Sequence, residues 1–192
     1  MDSEATKTDQ ELVAAALSDR HAFLKIVQKY EAAISRYIKR IGCRDNEDGN
    51  DVLQEIFIKV FVNLNDYDPN LKFSSWLYRI AHNETISFFR KKNARPNVLI
   101  GEDAEEFWGH LADDTDFVEL SNQRHDASII KDVLSTISQK YKEVLVLRFL
   151  EEKSYTEISD ILRIPEGTVA TLINRGKKEL KTALENKGLK MP

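Results

Sequence analysis

The sequence predicts an all-α protein built from two helical domains, and three observations carry that prediction. Apolar residues recur at three- and four-residue spacing along almost every ordered stretch. Glycine and proline are scarce, at seven and four of 192 residues, and β-branched alternation is slight, which argues against an all-β or Rossmann-type chain. An acidic stretch without sustained period, 96–125, separates the two periodic parts. The expected domains are therefore 1–95 and 126–192, with a flexible acidic linker between them.

Taken in order, Leu12 to Leu17 predict a short helix. Phe23, Ile26, Val27, Tyr30, Ile34, Tyr37, Ile38 and Ile41 predict a longer one, with Ser18-Asp19 as the junction. The run Gly42-Cys43-Arg44-Asp45-Asn46 and the pair Gly49-Asn50 should break the pattern. A helix then spans about Asp51 to Leu64. Asp66-Tyr67-Asp68-Pro69-Asn70 is a turn, because the residue before proline avoids the helical region. The next helix starts near Ser74 and runs to a basic end at Lys92. Within the linker, Phe107, Trp108 and Leu111 are too apolar to be wholly solvated. They form either a short helix docked on a domain or a partner-binding patch, and docking is the expectation. Beyond it, Ile129, Ile130, Val133, Leu134 and Ile137 suggest one helix, and Tyr141, Val144, Leu145, Leu147 and Leu150 a second. Ser154-Tyr155-Thr156-Glu157 is a capping-box pattern opening a third, and Pro165 suits the first turn of a fourth.

Composition narrows the function classes. No run of eighteen apolar residues exists, so no membrane span is expected. The polar, acidic start MDSEATKTDQE is unlike a signal or transit peptide. A lone cysteine, Cys43, forms no internal disulfide and agrees with a cytoplasmic protein. The four histidines are scattered, with no HExxH, Walker loop or CxxC, so neither an enzyme such as a nuclease nor a metal or cofactor site is expected. The net charge of −4 conceals segregation. Residues 72–95 carry +5, residues 96–124 carry −7, and from Arg163 onward seven basic groups face three acidic ones. Two cationic segments flanking an anionic one are more than a uniformly solvated surface.

Three constellations carry chemistry. Ile158, Ile161 and Leu162, a turn at Arg163-Ile164-Pro165, and then Val169, Ile173 and Leu180 give helix–turn–helix spacing. The face opposite the core stripe of the second helix presents Thr168, Thr171, Arg175 and Lys178, hydrogen-bonding and cationic groups of the kind a major groove receives. Lys177 and Lys181 suit phosphates, which fix register. On the 51–64 helix, Val52, Leu53, Ile56, Phe57, Val60, Phe61 and Leu64 face a core. The reverse side mixes Ile58 and Val62 with Asp51, Gln54 and Glu55. Burial of unpaired carboxylates is costly, so a protein interface explains that second stripe better. On the 73–92 helix, Trp76, Arg79, Asn83, Ser87 and Arg90 align beside the core stripe and lead to Lys91-Lys92. Aromatic, amide and cationic groups in one line suit single-stranded or distorted nucleic acid, where bases stack and cations hold the backbone. A core role for Trp76 competes with that reading, and His82 reads as a surface or hydrogen-bonded histidine.

Together these segments resemble the extracytoplasmic-function (ECF) sigma factors of the sigma-70 family. Asp51-Val-Leu-Gln54-Glu55-Ile-Phe57 and Phe73-Ser-Ser-Trp76-Leu-Tyr-Arg79-Ile-Ala-His-Asn83 are similar to region two. Ser154-Tyr155-Thr156-Glu157-Ile158 and Ile164-Pro165-Glu-Gly167-Thr168-Val169 are similar to region four. The resemblance implies a promoter-recognition subunit. Asp51, Gln54, Glu55, Ile58 and Val62 would dock on the clamp helices of the largest subunit of core RNA polymerase, with the flap of the second-largest subunit as a further contact. Asn70, Phe73, Trp76, Arg79, Asn83, Ser87, Arg90 and Lys91 would serve the minus-ten element, capturing a flipped base as the duplex melts. Thr168, Thr171, Asn174, Arg175, Lys177 and Lys178 would serve the minus-thirty-five element. Promoter DNA, polymerase and an anti-sigma factor are the implied partners, and the acidic linker would thread the polymerase. Two departures stand out. Ala170-Thr171-Leu172 lacks the usual basic residues, and Gly176 replaces a usual alanine at a cost of about 1 kcal/mol in helix stability. A helix–turn–helix regulator that never joins polymerase is the alternative, and it leaves the second stripe of the 51–64 helix without a role.

Overall fold

The computed structural model describes residues 8–43, 46–92, 103–112, 133 and 136–187, and every regular element among them is helical. The contacts divide the chain into two compact units, Met1–Ile38 with Cys43–Ala94, and Lys39–Gly42 with Arg95–Pro192.

The first unit begins with α1, Asp9–Ser18. A capping box fixes its start: the Glu11 N–H donates to the Thr8 hydroxyl, and the Thr8 N–H donates to the Glu11 carboxylate at 2.8 Å. Leu12, Val13 and Ala16 are its buried side. Asp19 ends it and caps a short 3-10 turn, Arg20–Ala22, by accepting from the His21 N–H. The long α2, Phe23–Arg40, buries Ile26, Tyr30, Ile34, Tyr37 and Ile38, the three- and four-residue spacing read from sequence. Asp9 is bonded by the Lys29 ammonium at 2.7 Å and by the Tyr30 hydroxyl at 2.6 Å.

The helix expected from Asp51 starts earlier. α3 spans Asn46–Val62 and runs straight through Gly49-Asn50, which correct to helical residues. Two acids in its first turn, Glu47 and Asp48, favour that start against the helix dipole. A 3-10 turn, Leu64–Asp66, and a loop lead to α4, Phe73–Lys91. Ile56 and Val60 of α3 and Leu77 and Ala81 of α4 are completely buried. Lys59 on α3 also bridges to Glu84 on α4 at 2.6 Å.

The second unit holds α5, Ala104–Ala112; α6, Gln139–Leu145, which widens into a π-helical stretch over Val146–Leu150; α7, Tyr155–Leu162; and α8, Glu166–Asn186. Phe107 and Leu111 of α5 are fully buried, and Phe107 meets the edge of Phe149 at 5.9 Å between ring centres. Docking is thus the outcome for Phe107 and Leu111, while the side chain of Trp108 lies outside the described residues. The helix expected around Ile129–Ile137 falls mostly outside the described residues; Val133 and Ile137 are buried.

Arg40, grouped with this unit, is 4% exposed and carries five short hydrogen bonds. Nε and Nη2 hold Asp103 at 2.9 and 3.1 Å, and Nη2 also holds Glu106 at 2.9 Å. Nη1 donates to Glu151 at 2.8 Å and to the Leu150 carbonyl at 2.9 Å. Burial alone would lower the guanidinium pKa, but the bonds from Asp103 and Glu151 outweigh it and raise it. Two charges of the acidic stretch are therefore structural ion-pair partners.

Candidate functional site

Three surfaces collect the residues singled out by sequence. The first lies on α3. Asp51, Gln54 and Glu55 are exposed, as are Ile58 at 46% and Val62 at 67%. The apolar surface is broader than the wheel suggests. Phe61, expected in the core, is 38% exposed, and Leu24 on α2 is 60% exposed. Phe23, Leu24, Val27, Phe57, Ile58 and Phe61 line a groove of about 530 Å³ with Gln54 at its rim. Phe61 is held against Phe23 at 5.1 Å in an edge-on pair. An apolar strip ringed by Asp51, Gln54 and Glu55 has the composition of a partner interface.

The second surface comprises the loop over residues 67–72 and α4. Here the structure corrects two side chains. Phe73 is 2% exposed and Trp76 5% exposed, so neither offers a stacking face. Both belong to an aromatic cluster, with Tyr67 against Phe73 at 5.2 Å, Tyr67 against Trp76 at 5.6 Å and Tyr30 against Phe73 at 5.7 Å. Rings of that size are held by the area they bury. The Tyr67 hydroxyl donates to the Leu71 carbonyl at 2.5 Å, and Asp68 accepts from both the backbone and side-chain amides of Asn70 at 2.9 Å. The loop is thereby pinned at both ends.

Along α4, Asn83, Arg90 and Lys91 are exposed, and Arg79 and Ser87 are half-buried. Their spacing puts them on one flank. Lys92 bonds Asp48 at 2.6 Å and sits 4.9 Å above the Phe88 ring. His82 faces inward: its Nδ1 is 3.0 Å from the Tyr37 hydroxyl, and burial lowers its pKa to about 4, so it is neutral near pH 7.

The third surface is the helix–turn–helix of the second unit. Ser154 accepts from the Glu157 N–H, and the Glu157 carboxylate accepts from the Ser154 N–H at 2.9 Å, which fixes the start of α7. Arg163 ends it in the left-handed region at φ 57°. The Ser159 hydroxyl donates to the Ile164 carbonyl at 2.6 Å across the turn, and Pro165 caps α8. Ile158, Ile161, Val169, Ile173 and Leu180 lock the two helices together in the core.

Thr168, Thr171, Asn174, Arg175 and Lys178 are all exposed on α8. The Thr171 hydroxyl donates to the Gly167 carbonyl at 2.8 Å, leaving its lone pairs outward. Lys177 is a correction: at 8% exposure it lies on the packed side, one position round the helix from the outer face. Gly176 also changes meaning. A Cβ there would lie 3.1 Å from Tyr141 Cβ and 3.2 Å from Leu145 Cδ1, so the missing side chain lets α8 approach α6 closely.

Sequence reasoning missed the part played by α1. Thr8, Asp9 and Gln10 form one wall of a concavity of about 410 Å³ whose other wall is the 67–74 segment. Thr8 and Glu11 carry the T-x-x-E spacing of a capping box, a signal the sequence reading passed over, and nothing local in the sequence places this helix start beside the 67–74 loop.

Comparison with known proteins gives these surfaces a context. The sequence matches the sigma-70 region 2 family over residues 26–95 and the sigma-70 region 4 family over residues 127–180. It is 37% identical over 175 residues to the ECF RNA polymerase sigma factor SigW of Bacillus subtilis, covering 88% of this chain and 91% of that protein. It is 31% identical to the ECF RNA polymerase sigma-E factor of Haemophilus influenzae, covering 93% and 96%. Among solved structures, CnrH in complex with the cytosolic domain of CnrY superposes with a TM-score of 0.66 at 23% identity, covering 93% of this chain and 97% of the other. The sigma factor RpoE of Bartonella quintana in complex with the anti-sigma factor NepR gives 0.59 at 18% identity, covering 85% and 96%, a likeness of fold.

Proposed function

Because the chain belongs to the ECF sigma factors of the sigma-70 family, polymerase-associated proteins of transcription initiation, we propose that its two units divide the work of promoter recognition. The α3 groove docks on the clamp helices of the largest polymerase subunit, while the flap of the second-largest holds the second unit. Asn70, Arg79, Asn83, Ser87, Arg90 and Lys91 face the minus-ten element, where unpaired bases present edges that an amide can read. Thr168, Thr171, Asn174, Arg175 and Lys178 face the minus-thirty-five duplex, with the cations supplying a salt-dependent contact to phosphates. No catalytic step falls to this chain, which acts in the cytoplasm with the polymerase.

The observation that carries this reading is the exposed apolar strip of α3, with Ile58 at 46% and Val62 at 67% exposure beside a ready groove. A helix–turn–helix regulator acting alone has no use for it. An anti-sigma factor fits the same logic, because a free protein displaying such a strip gains by having it covered; the Bartonella quintana relative is solved with one.

Co-elution with core polymerase tests the reading. The wild-type chain should bind, an Ile58→Asp/Val62→Asp variant should lose at least 100-fold in affinity, and Arg175→Ala should bind as wild type. Retained binding by the double variant would reject the α3 assignment, and no binding by the wild-type chain would reject the polymerase role.

A further inference from the structure

The basic end of α4 is not uniform. Arg90, Lys91 and Lys92 follow one another and are all exposed, fanning round the helix end in steps of about 100°. Arg90 and Lys91 have no hydrogen-bond or ion-pair partner among the described residues. Lys92 is held. Its ammonium donates to both carboxylate oxygens of Asp48, at 2.6 and 2.7 Å, and lies 4.9 Å from the centre of the Phe88 ring. Asp48 stands in the first turn of α3. An ammonium has three donors and no acceptor, so one carboxylate takes two of them. The pair is open to water, with side-chain exposures of 52% for Lys92 and 32% for Asp48. A pair so exposed adds little to stability. What it changes is the charge that the end of α4 can offer, because a carboxylate engages an ammonium through the same charge-assisted bonds as a phosphate oxygen.

We infer that Asp48 restrains Lys92 as a built-in stand-in for a DNA phosphate, withholding from promoter DNA one of the three cations at the end of α4. This rests on the minus-ten reading of Arg90 and Lys91 given above and adds a residue of α3 to it. Each phosphate that a lysine neutralises releases condensed counterions, a favourable and sequence-independent effect. Lys92 forgoes that effect while Asp48 occupies it. To reach a phosphate it must first leave the carboxylate, and the bared carboxylate then repels the same phosphate. Restrained in this way, the helix end grips the DNA backbone with two cations in place of three. A larger share of binding is left to the groups that read bases, since phosphate contacts position the protein and carry no sequence information.

Holoenzyme reconstituted from core polymerase and the full chain tests the inference, through its affinity for a promoter fragment across a salt series. Asp48→Asn should bind core polymerase as wild type and bind the fragment about fivefold more tightly at about 0.1 M salt. It should also steepen the slope of log K against log salt by about 0.9, the increment of one added phosphate contact. Asp66→Asn, which removes the same charge from the exposed Leu64–Asp66 turn, should leave the slope unchanged. In a Lys92→Ala background, Asp48→Asn should lose its effect on the slope. The restraint is overturned if Asp48→Asn does not steepen the slope, or steepens it no more than Asp66→Asn, or steepens it equally without Lys92. The Arg90→Ala/Lys91→Ala variant separates that failure from a failure of the minus-ten reading. If it flattens the slope by about 1.8, the reading stands without the inference. If it binds core polymerase and keeps the wild-type slope, the reading of the helix end falls and takes the inference with it.

Discussion

The two units solve opposite problems with the same material. In the first, the aromatic residues that looked like a nucleic-acid platform are folded inward, and aliphatic residues that a free protein would hide stand outside. Trp76 is 5% exposed, whereas Val62 is 67% exposed. In the second, Ile158, Ile161, Val169, Ile173 and Leu180 are buried as the pattern demands, and the outer face of α8 carries Thr168, Thr171, Asn174, Arg175 and Lys178. The contrast teaches that a residue type does not announce its side. A tryptophan near a basic run is a core residue when Tyr67 and Phe73 lie within ring-contact distance. An isoleucine on a polar flank stays exposed when its own core is already complete, as Ile58 does at 46%.

The sharpest way to break the contrast is to treat Trp76 as a surface residue. Truncating a buried aromatic costs about 4 kcal/mol, so Trp76→Ala should destabilise the chain by that amount in urea titration. Asn83→Ala, an exposed change, should stay within about 0.5 kcal/mol of wild type. If both variants were equally stable, the aromatic cluster would not be the core of the first unit.

Gly176 sharpens the comparison from the second unit. On helix propensity alone, Gly176→Ala should gain about 1 kcal/mol. Against that, the new Cβ meets Tyr141 and Leu145 at 3.1–3.3 Å, and overpacking of this kind costs about 1–3 kcal/mol. The balance predicts a net loss of about 1 kcal/mol, read as a lowered urea midpoint. A gain in stability would mean that α6 and α8 are less closely packed than described.

A pH-dependent effect, absent at neutral pH, follows from His82. Its pKa is lowered from 6.5 to about 4 by burial, so the unfolded chain takes up a proton that the folded unit resists. Between pH 6.5 and 4 the unfolded state therefore binds more protons, and stability falls as pH falls through that window. Above pH 6.5 this contribution is constant. Urea midpoints collected across that range should slope for the wild type and flatten for His82→Gln; parallel slopes would place the imidazole in water.

Much of this was legible in the sequence, for identifiable reasons. Helical periodicity, the Ser154–Glu157 capping box and Pro165 are local signals, and local hydrogen bonding enforces them, so α7 and α8 start where expected, whereas α1 starts at Asp9, ahead of the apolar run from Leu12. The second stripe of α3 was visible because period and polarity disagreed at Ile58 and Val62. What escaped depends on distant chain. Gly49-Asn50 reads as a break until the acids ahead of it extend the helix. Phe73, Trp76 and Lys177 needed the neighbours that bury them, and Gly176 needed the helix packed against it. Arg40 and its ring of Asp103, Glu106 and Glu151 bring together carboxylates more than sixty and a hundred residues away, which no spacing rule anticipates.

The division of labour between the units rests most directly on base-by-base promoter profiling with reconstituted holoenzyme. With the Arg175→Ala/Lys178→Ala variant, preference should weaken at the upstream element alone, with less dependence on salt, while core binding and the downstream profile stay as in the wild type. An unchanged upstream profile, or a loss of core binding from these two substitutions, would contradict the assignment of promoter reading to α8 and polymerase docking to α3.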